Sequence, residues 1–189
     1  MKLIVGLGNA GGRYDGTRHN VGMDVVRQLA RRHRAAWTSH PPRYVAADWR
    51  SPHGLVRLLC PLTMMNASGD AVVDANTWEM SPADVLLVCD DVNLPLGQLR
   101  LRPEGSDGGH HGIASCLQAL GTMAIPRLRL GVGRQPLPKD LTDFVLSPFE
   151  AEERPLIDEA MHRAIGGCEL WVSETMPVAM NRINAPTKA

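Results

Sequence analysis

The chain has 189 residues, 44% of them apolar and 21% charged, and its twenty basic and twenty acidic side chains cancel. That length fits one domain of ~100–200 residues, able to bury a core without a metal or disulfide staple. Gly and Pro, at 18 and 14 residues, stay below low-complexity levels, and no apolar run nears the ~18–20 residues of a membrane span, so collagen-like, disordered and membrane-spanning classes are excluded.

In chain order, Lys2–Val5 reads as a strand running into a long Gly-rich loop that reaches Arg18. Val21, Val25 and Leu29, with Val26 and Ala30, form a stripe at helical spacing that ends in the polar ARRHR. Tyr44–Trp49 and Leu55–Cys60 flank the turn signal Ser51-Pro-His-Gly54 and read as a hairpin. Ala67–Trp78 reads as a helix that stops before Ser81-Pro82. Asp84–Cys89 is a buried strand, Gln98–Arg102 an alternating one, Gly112–Leu120 a helix and Arg127–Val132 another strand. Ser147-Pro-Phe-Glu150 has the pattern of a capping box with Pro at the first helical position, opening a helix towards Thr175. Strands interleaved with helices, plus one hairpin, predict a single α/β domain with a mixed sheet spanning residues 1–189. In such sheets functional groups gather beyond the carboxyl ends of the strands, which here selects residues 6–20, 61–66 and 90–94.

The cancelled charge hides a polarised one. Residues 1–50 carry nine basic and three acidic side chains, whereas residues 51–100 carry two and six. Such a field steers an anionic ligand. Arg outnumbers Lys 17 to 3, which suits bidentate phosphate contacts, although genome composition produces the same bias. Cys60, Cys89, Cys116 and Cys168 form no C-x-x-C pair and fit buried thiols in a reducing compartment. The start MKLIVGLGN carries no signal or transit pattern, so a cytoplasmic protein is expected.

The first loop contains Gly6-Leu-Gly-Asn-Ala-Gly11, literally G-x-G-x-x-G after a strand. A dinucleotide site needs a helix opening on those glycines and an acidic second strand about 20 residues on. Here the loop continues through Tyr14 and Gly16, and residues 30–36 are ARRHRAA, so that reading fails. The same loop brings Asn9, Tyr14 and His19 together, with His19 opening a helix whose N-terminus favours a neutral imidazole able to act as a base. The plain alternative is a histidine bonded to its own loop. Asp90, at the end of VLLVC, is placed to orient such a base, or merely to cap a turn; Asp91 should face solvent. Asn66 offers donor and acceptor to a substrate carbonyl or a water, or serves as an N-cap.

Gly105-Ser-Asp-Gly-Gly-His-His-Gly112 is a Gly-rich loop entering a helix, where backbone N–H groups can meet an anion, but it lacks the Gly-Lys-Ser/Thr of a nucleotide-binding loop. His110 and His111 sit there as binding candidates, without the spacing of a zinc site, so no metal and no other cofactor is expected. Arg100 and Arg102 on one strand face, repeated by Arg127 and Arg129, form either a phosphate track or a solvated face. Together these residues describe a hydrolase of a phosphate-bearing ligand that uses water directly, with no Gly-x-Ser-x-Gly nucleophile.

In these residues the chain resembles the bacterial-type peptidyl-tRNA hydrolases. The matching stretches are GLGNAGGRYDGTRHNVG (6–22), PLTMMNASG (61–69), LLVCDDVNLPLG (86–97), GSDGGHHGI (105–113), RLRLGVGR (127–134), DFVLSPF (143–149) and AMNRIN (179–184). The resemblance implies a monomeric α/β fold around a twisted, mostly parallel mixed sheet flanked by helices. It implies metal-free hydrolysis of the ester joining a peptide to the 3′ ribose of tRNA, with tRNA as partner and no obligate protein partner. Carried over residue by residue, His19 matches the general base and Asp90 the carboxylate that orients it. Asn9 matches the residue that distinguishes N-blocked from free aminoacyl-tRNA. Asn66 matches a substrate- and water-positioning amide. Tyr14, Met64 and Met65 fall at positions lining the site, with His110 and His111 in the binding set. Arg100, Arg102 and Arg129 match basic residues that contact tRNA phosphate. Three positions depart from the family pattern: Ala10 replaces a Pro, Cys89 stands where His is frequent, and His111 replaces an Asn that contacts substrate. A non-catalytic relative that binds RNA or a protein partner is the rival reading. A generic esterase is a third, against which the Arg pairs count.

Overall fold

The structure is a computed structural model and describes residues 1–75 and 80–185. Its described strands form one seven-stranded sheet in the order β2-β3-β4-β1-β5-β7-β6. These are β1 (Lys2–Gly6), β2 (Trp37–His40), β3 (Tyr44–Ser51), β4 (Gly54–Pro61), β5 (Val85–Pro95), β6 (Leu99–Arg102) and β7 (Arg127–Gly133). The central strands β4, β1, β5 and β7 are parallel, while β2 and β3 on one side and β6 on the other run antiparallel. The α/β expectation with a mixed, mostly parallel core holds.

Each central strand is apolar on both faces because each face carries helices. Ile4, Leu58, Leu86 and Leu128 point into a cluster shared with α1 (Val21–Arg32), α5 (Arg154–Ser173) and α6 (Met176–Ile183). Leu3, Val5, Leu59 and Leu87 point the other way, towards α2 (Ser68–Ala75) and α3 (His111–Leu120). The approach of α1 to the sheet is close enough to exclude side chains: a Cβ on Gly22 would lie 2.1 Å from Val88 O, and one on Gly6 2.6 Å from Gly22 O. Gly6 and Gly8 of the dinucleotide-like pattern therefore serve packing against the start of α1, whereas Gly11, at φ +108° with open space around it, serves the turn of the loop.

Several elements differ from the sequence reading. β5 does not end at Cys89 but continues to Pro95, with a shift of register between Asp91 and Pro95. The polar Asp90-Asp91 pair ends the apolar pattern, yet pairing with β7 goes on. Gly131 and Gly133 allow it, since a Cβ at either would meet Pro95 O or Val92 O at 2.0 Å. The helix placed after Ser147 begins only at Arg154, with a proline in its first turn. The Ser147 hydroxyl instead donates to Phe144 O and closes a short unforeseen helix, α4 (Leu141–Val145). The strand β2, exposed throughout, lacks an apolar alternation. α6 does not lack its signal: Thr175, a proline in its first turn and the buried Ala179 and Ile183 four residues apart mark it, and the sequence reading leaves it out. The helix expected over Ala67–Trp78 is observed as α2 to Ala75, and residues 76–78 lie outside the described residues. At the β6 edge, the Asn184 side chain accepts from Leu101 N–H at 2.7 Å and donates to Leu101 O at 3.1 Å.

Candidate active site

The parallel strands β1, β4 and β5 deliver three segments to one end of the sheet: residues 7–20, residues 62–67 and the extension of β5. His19 sits in a 3-10 turn (Arg18–Asn20) that leads directly into α1. That turn is bolted from behind. Arg18, 1% exposed, meets Glu153 Oε2 at 2.5 Å and Oε1 at 3.1 Å, with its guanidinium over the rings of Phe144 and Phe149. Its backbone N–H donates to Ser147 O.

His19 Nδ1 lies 2.9 Å from Asp90 Oδ1, and the same oxygen is 3.0 Å from His110 Nε2. His110 Nδ1 accepts from the N–H groups of Gly112 and Ile113, so its proton is assigned to Nε2 and donated to Asp90. His19 likewise donates Nδ1–H to the carboxylate, leaving the Nε2 lone pair for chemistry. Burial alone would raise the Asp90 carboxyl; the electrostatic attraction of the His110 ring and the hydrogen bonds donated by His110 and His19 outweigh it and hold Asp90 well below the usual carboxylate range. Donor atoms of His19, Asp90 and His110 lie within 4.8 Å of one another, a set that could ligate a cation. The hydrogen-bond pattern opposes this use. His110 would have to give up the proton it shares with Asp90, because its other nitrogen caps α3.

A cavity of about 590 Å³ opens over this triad. Its lining includes Asn9, Met64, Met65 and Asn66, Asp91 to Asn93 with Arg129, and Leu141, Thr142, Val145 and Leu146. Asn9 is fixed at both its backbone and its side chain. Its N–H donates to Asn20 Oδ1 at 2.8 Å, its O accepts from Asn20 Nδ2 at 3.0 Å, and its Oδ1 accepts from Met65 N–H at 2.8 Å. What remains of Asn9 for a ligand is its amide N–H₂. Asn66 is exposed and caps nothing: Met64 precedes the 3-10 turn Met65–Ala67 in which it lies.

The Gly-rich segment reaches the cavity from the opposite end of the sheet. β6 ends where β7 begins, with Arg102 beside Arg127, and the chain then climbs back to His110. Arg127, buried at 1%, donates to the carbonyls of Gly105, Ser106, Met123 and Ile125, and Arg129 donates to Asp107 O. The segment therefore does not form the expected anion cradle. Its Gly109 N–H is taken by Asp107 and the helix start is capped by His110. Arg127 is a structural residue and no part of a phosphate track.

Of the residues selected from sequence, His19, Asp90, Asn9, Met64, Met65, Asn66, His110, His111 and Arg129 come together around the cavity. Tyr14 does not line it: it is buried within the first loop, in the 3-10 turn Gly12–Tyr14, its hydroxyl accepting from Arg13 at 2.5 Å. Arg100 and Arg102 lie on β6 outside the cavity wall, Arg100 as the register partner of Arg129. Asp91 was expected in solvent and is 8% exposed, with Oδ2 3.3 Å from Arg129 Nη1. Its partner stands on the neighbouring strand, which no local pattern reveals. Asn20 had only its place beside His19 to recommend it. Thiol chemistry is absent among the described residues, as burial pushes Cys89 far up and Cys60, Cys116 and Cys168 up to about 12.

Comparison with known proteins agrees with the geometry. A family model described as peptidyl-tRNA hydrolase matches residues 3–189. The peptidyl-tRNA hydrolase of Roseiflexus sp. (strain RS-1) is 46% identical over 188 residues, covering 98% of this chain and 87% of that protein. That of Rhodopirellula baltica is 40% identical over 189 residues and covers 98% of each. The crystal structure of peptidyl-tRNA hydrolase from Acinetobacter baumannii superposes with a TM-score of 0.92 at 34% identity, covering 100% of this chain and 97% of that one.

Proposed function

The chain belongs to the peptidyl-tRNA hydrolase family and is a hydrolase, and on that premise we propose that it cleaves the ester between a peptide and the 3′ ribose of tRNA with a water activated by His19. The observation that carries this reading is the 2.9 Å contact of His19 Nδ1 with the buried Asp90, which leaves Nε2 facing the cavity. Nε2 takes a proton as the water oxygen attacks the ester carbonyl, and Asp90 stabilises the imidazolium that forms without accepting its proton. The Asn9 amide, held at both ends, donates to the developing oxyanion, an interaction typically worth ~3–4 kcal/mol in the transition state. Asn66 and His111 help position the acyl group. Collapse expels the ribose oxygen, which takes the proton back from His19, and the products are a peptide carboxylate and tRNA with a free 3′ hydroxyl.

Arg129 on the cavity wall, with Arg100 opposite it and Arg102 beyond, contacts tRNA phosphate. Such contacts position any tRNA without reading its bases. Met64, 47% exposed, and Leu141, 42% exposed, supply apolar surface to the acyl-tRNA end. No helix of the described residues is long and apolar enough to cross a membrane. The reading takes the protein as a monomer acting on free peptidyl-tRNA in the cytoplasm, without metal.

The test is hydrolysis of an N-acetyl-aminoacyl-tRNA against the same tRNA with a free amino group, each with and without EDTA. Selective, EDTA-insensitive cleavage of the blocked form is expected. Tight tRNA binding with no cleavage would instead mark a non-catalytic relative, and loss of activity in EDTA would restore the His19-Asp90-His110 cluster as a metal centre.

A further inference from the structure

Arg100, Arg127 and Arg129 share one face of the sheet, because Arg100 is the register partner of Arg129 and Arg127 lies two residues before it. Among the described residues, one carboxylate is ion-paired with this group: Asp91, on Arg129. Arg127 is fully engaged with carbonyls. Arg129 is not. It has two long contacts, 3.3 Å to Asp91 Oδ2 and 3.3 Å to Asp107 O, and its buried Nε has no partner among the described residues. A guanidinium carries five donors and prefers charged partners at about 2.7–2.9 Å, so this one is under-satisfied and turned to the cavity wall.

Asp91, by contrast, is held independently of the arginine. Its Oδ1 accepts from Asn93 N–H at 2.9 Å, an Asx turn in the β5 extension over Gly131 and Gly133. A fixed carboxylate beside a loosely held phosphate-binding arginine has a chemical consequence. Substrate and deacylated product carry the same phosphates, so a phosphate contact tightens both alike and does nothing for the chemical step. Excess affinity would appear as slow release of product. We propose that Asp91 is a built-in counter-charge that limits how tightly Arg129 holds tRNA phosphate and so sets the rate at which deacylated tRNA leaves. This rests on the reading that Arg129 contacts phosphate. When phosphate arrives, the Asp91–Arg129 contact loosens and the carboxylate is left facing a like charge, which offsets part of the gain.

The experiment measures deacylated tRNA affinity over a range of salt, with steady-state kinetics on N-acetyl-aminoacyl-tRNA. The proteins are the native chain, Asp91→Asn, Arg129→Ala and the double variant. Asparagine keeps the shape and the Asx turn and removes only the charge. Asp91→Asn should bind tRNA about three- to tenfold tighter, with a salt slope steeper by about one ion. Its KM should fall, and its multiple-turnover kcat should fall with it as release slows. The double variant should match Arg129→Ala. If Asp91→Asn leaves affinity unchanged or weakens it while Arg129→Ala weakens it, Asp91 only aims the arginine and the proposal fails alone. Tightening that survives in the double variant also overturns it. If Arg129→Ala has no effect on affinity, the phosphate-contact reading falls and takes the proposal with it. Should Asp91→Asn not fold, Asp91→Ser, which closes the same turn through its hydroxyl, is read in the same way.

Discussion

Asp90→Asn removes one charge from the centre of the site and almost no volume. In the native chain the carboxylate oxygen lies 2.9 Å from His19 Nδ1 and 3.0 Å from His110 Nε2. When His19 accepts the proton of water, a full charge pair forms across the first distance. At an effective dielectric constant of ~20, that attraction is about 6 kcal/mol. An amide oxygen keeps part of it as a neutral hydrogen bond, so about 3–5 kcal/mol of transition-state stabilisation is lost, a fall of about 10²–10⁴ in rate. The asparagine can also turn its N–H₂ towards His19, which moves the imidazole proton to Nε2 and removes the base outright. The assay is single-turnover cleavage of N-acetyl-aminoacyl-tRNA, with tRNA affinity measured on the same preparation. Affinity should hold within about threefold while the chemical step collapses, since phosphate contacts and base contribute separately. A rate within tenfold of native would refute the reasoning, because His19 would then not depend on the charge of Asp90.

Two further expectations follow from the geometry around this centre. Glu153→Gln leaves the buried Arg18 guanidinium without its charge partner, which should cost about 3–5 kcal/mol and lower Tm by about 10 °C in thermal unfolding. Glu153 is held below its ordinary value despite the opposing effect of burial, through Arg18 and the Glu150 N–H, so its contribution is complete above the unfolded carboxylate value and is lost as pH falls through the folded one. A Tm difference between Glu153→Gln and native that does not shrink on acidification would contradict this. His111→Asn replaces a ring on the cavity wall by an amide, which offers donor and acceptor at once from one terminal group. KM for N-acetyl-aminoacyl-tRNA should change while the single-turnover rate holds within about threefold, and an unchanged KM would remove His111 from the binding set.

How much of this was legible depended on whether the determining contact was local. β1, the hairpin β3–β4 and β7 declare themselves through apolar runs, and His19, Asn9 and Asp90 through their places at strand ends. The extent of β5 did not, because Asp90 and Asp91 look like the start of a loop until the bare backbones of Gly131 and Gly133 are seen to receive Val92 to Pro95 beyond them. The two roles of His110 were equally hidden. A histidine that caps its own helix with one nitrogen and bonds Asp90, 20 residues away, with the other has no distinctive spacing. Arg127 and Arg129 look equivalent in RLRLGVG, yet the first is locked onto four carbonyls and the second faces the cavity. Only the path of the Gly-rich segment separates them. Tyr14 shares a loop with Asn9 and His19 and matches a site position by resemblance, yet it is buried and does not line the cavity.

The contact between Asn184 and Leu101 bears on how the molecule behaves in a crowd. An outer strand of a sheet offers unpaired N–H and C=O groups to any extended chain that passes, and this is how sheets zip together into aggregates. On β6 both backbone groups of Leu101 are already bonded, by a side chain shaped like a peptide unit. The strand that carries Arg100 and Arg102 is thereby closed to an intruding strand while its guanidinium-bearing surface stays available. On the far side β2 is only four residues long and ends at Pro41-Pro42, which leaves little to template on. The two margins are sealed by different means, so in a chain with no net charge to keep its copies apart neither edge of the described sheet is a ready seam along which they could join.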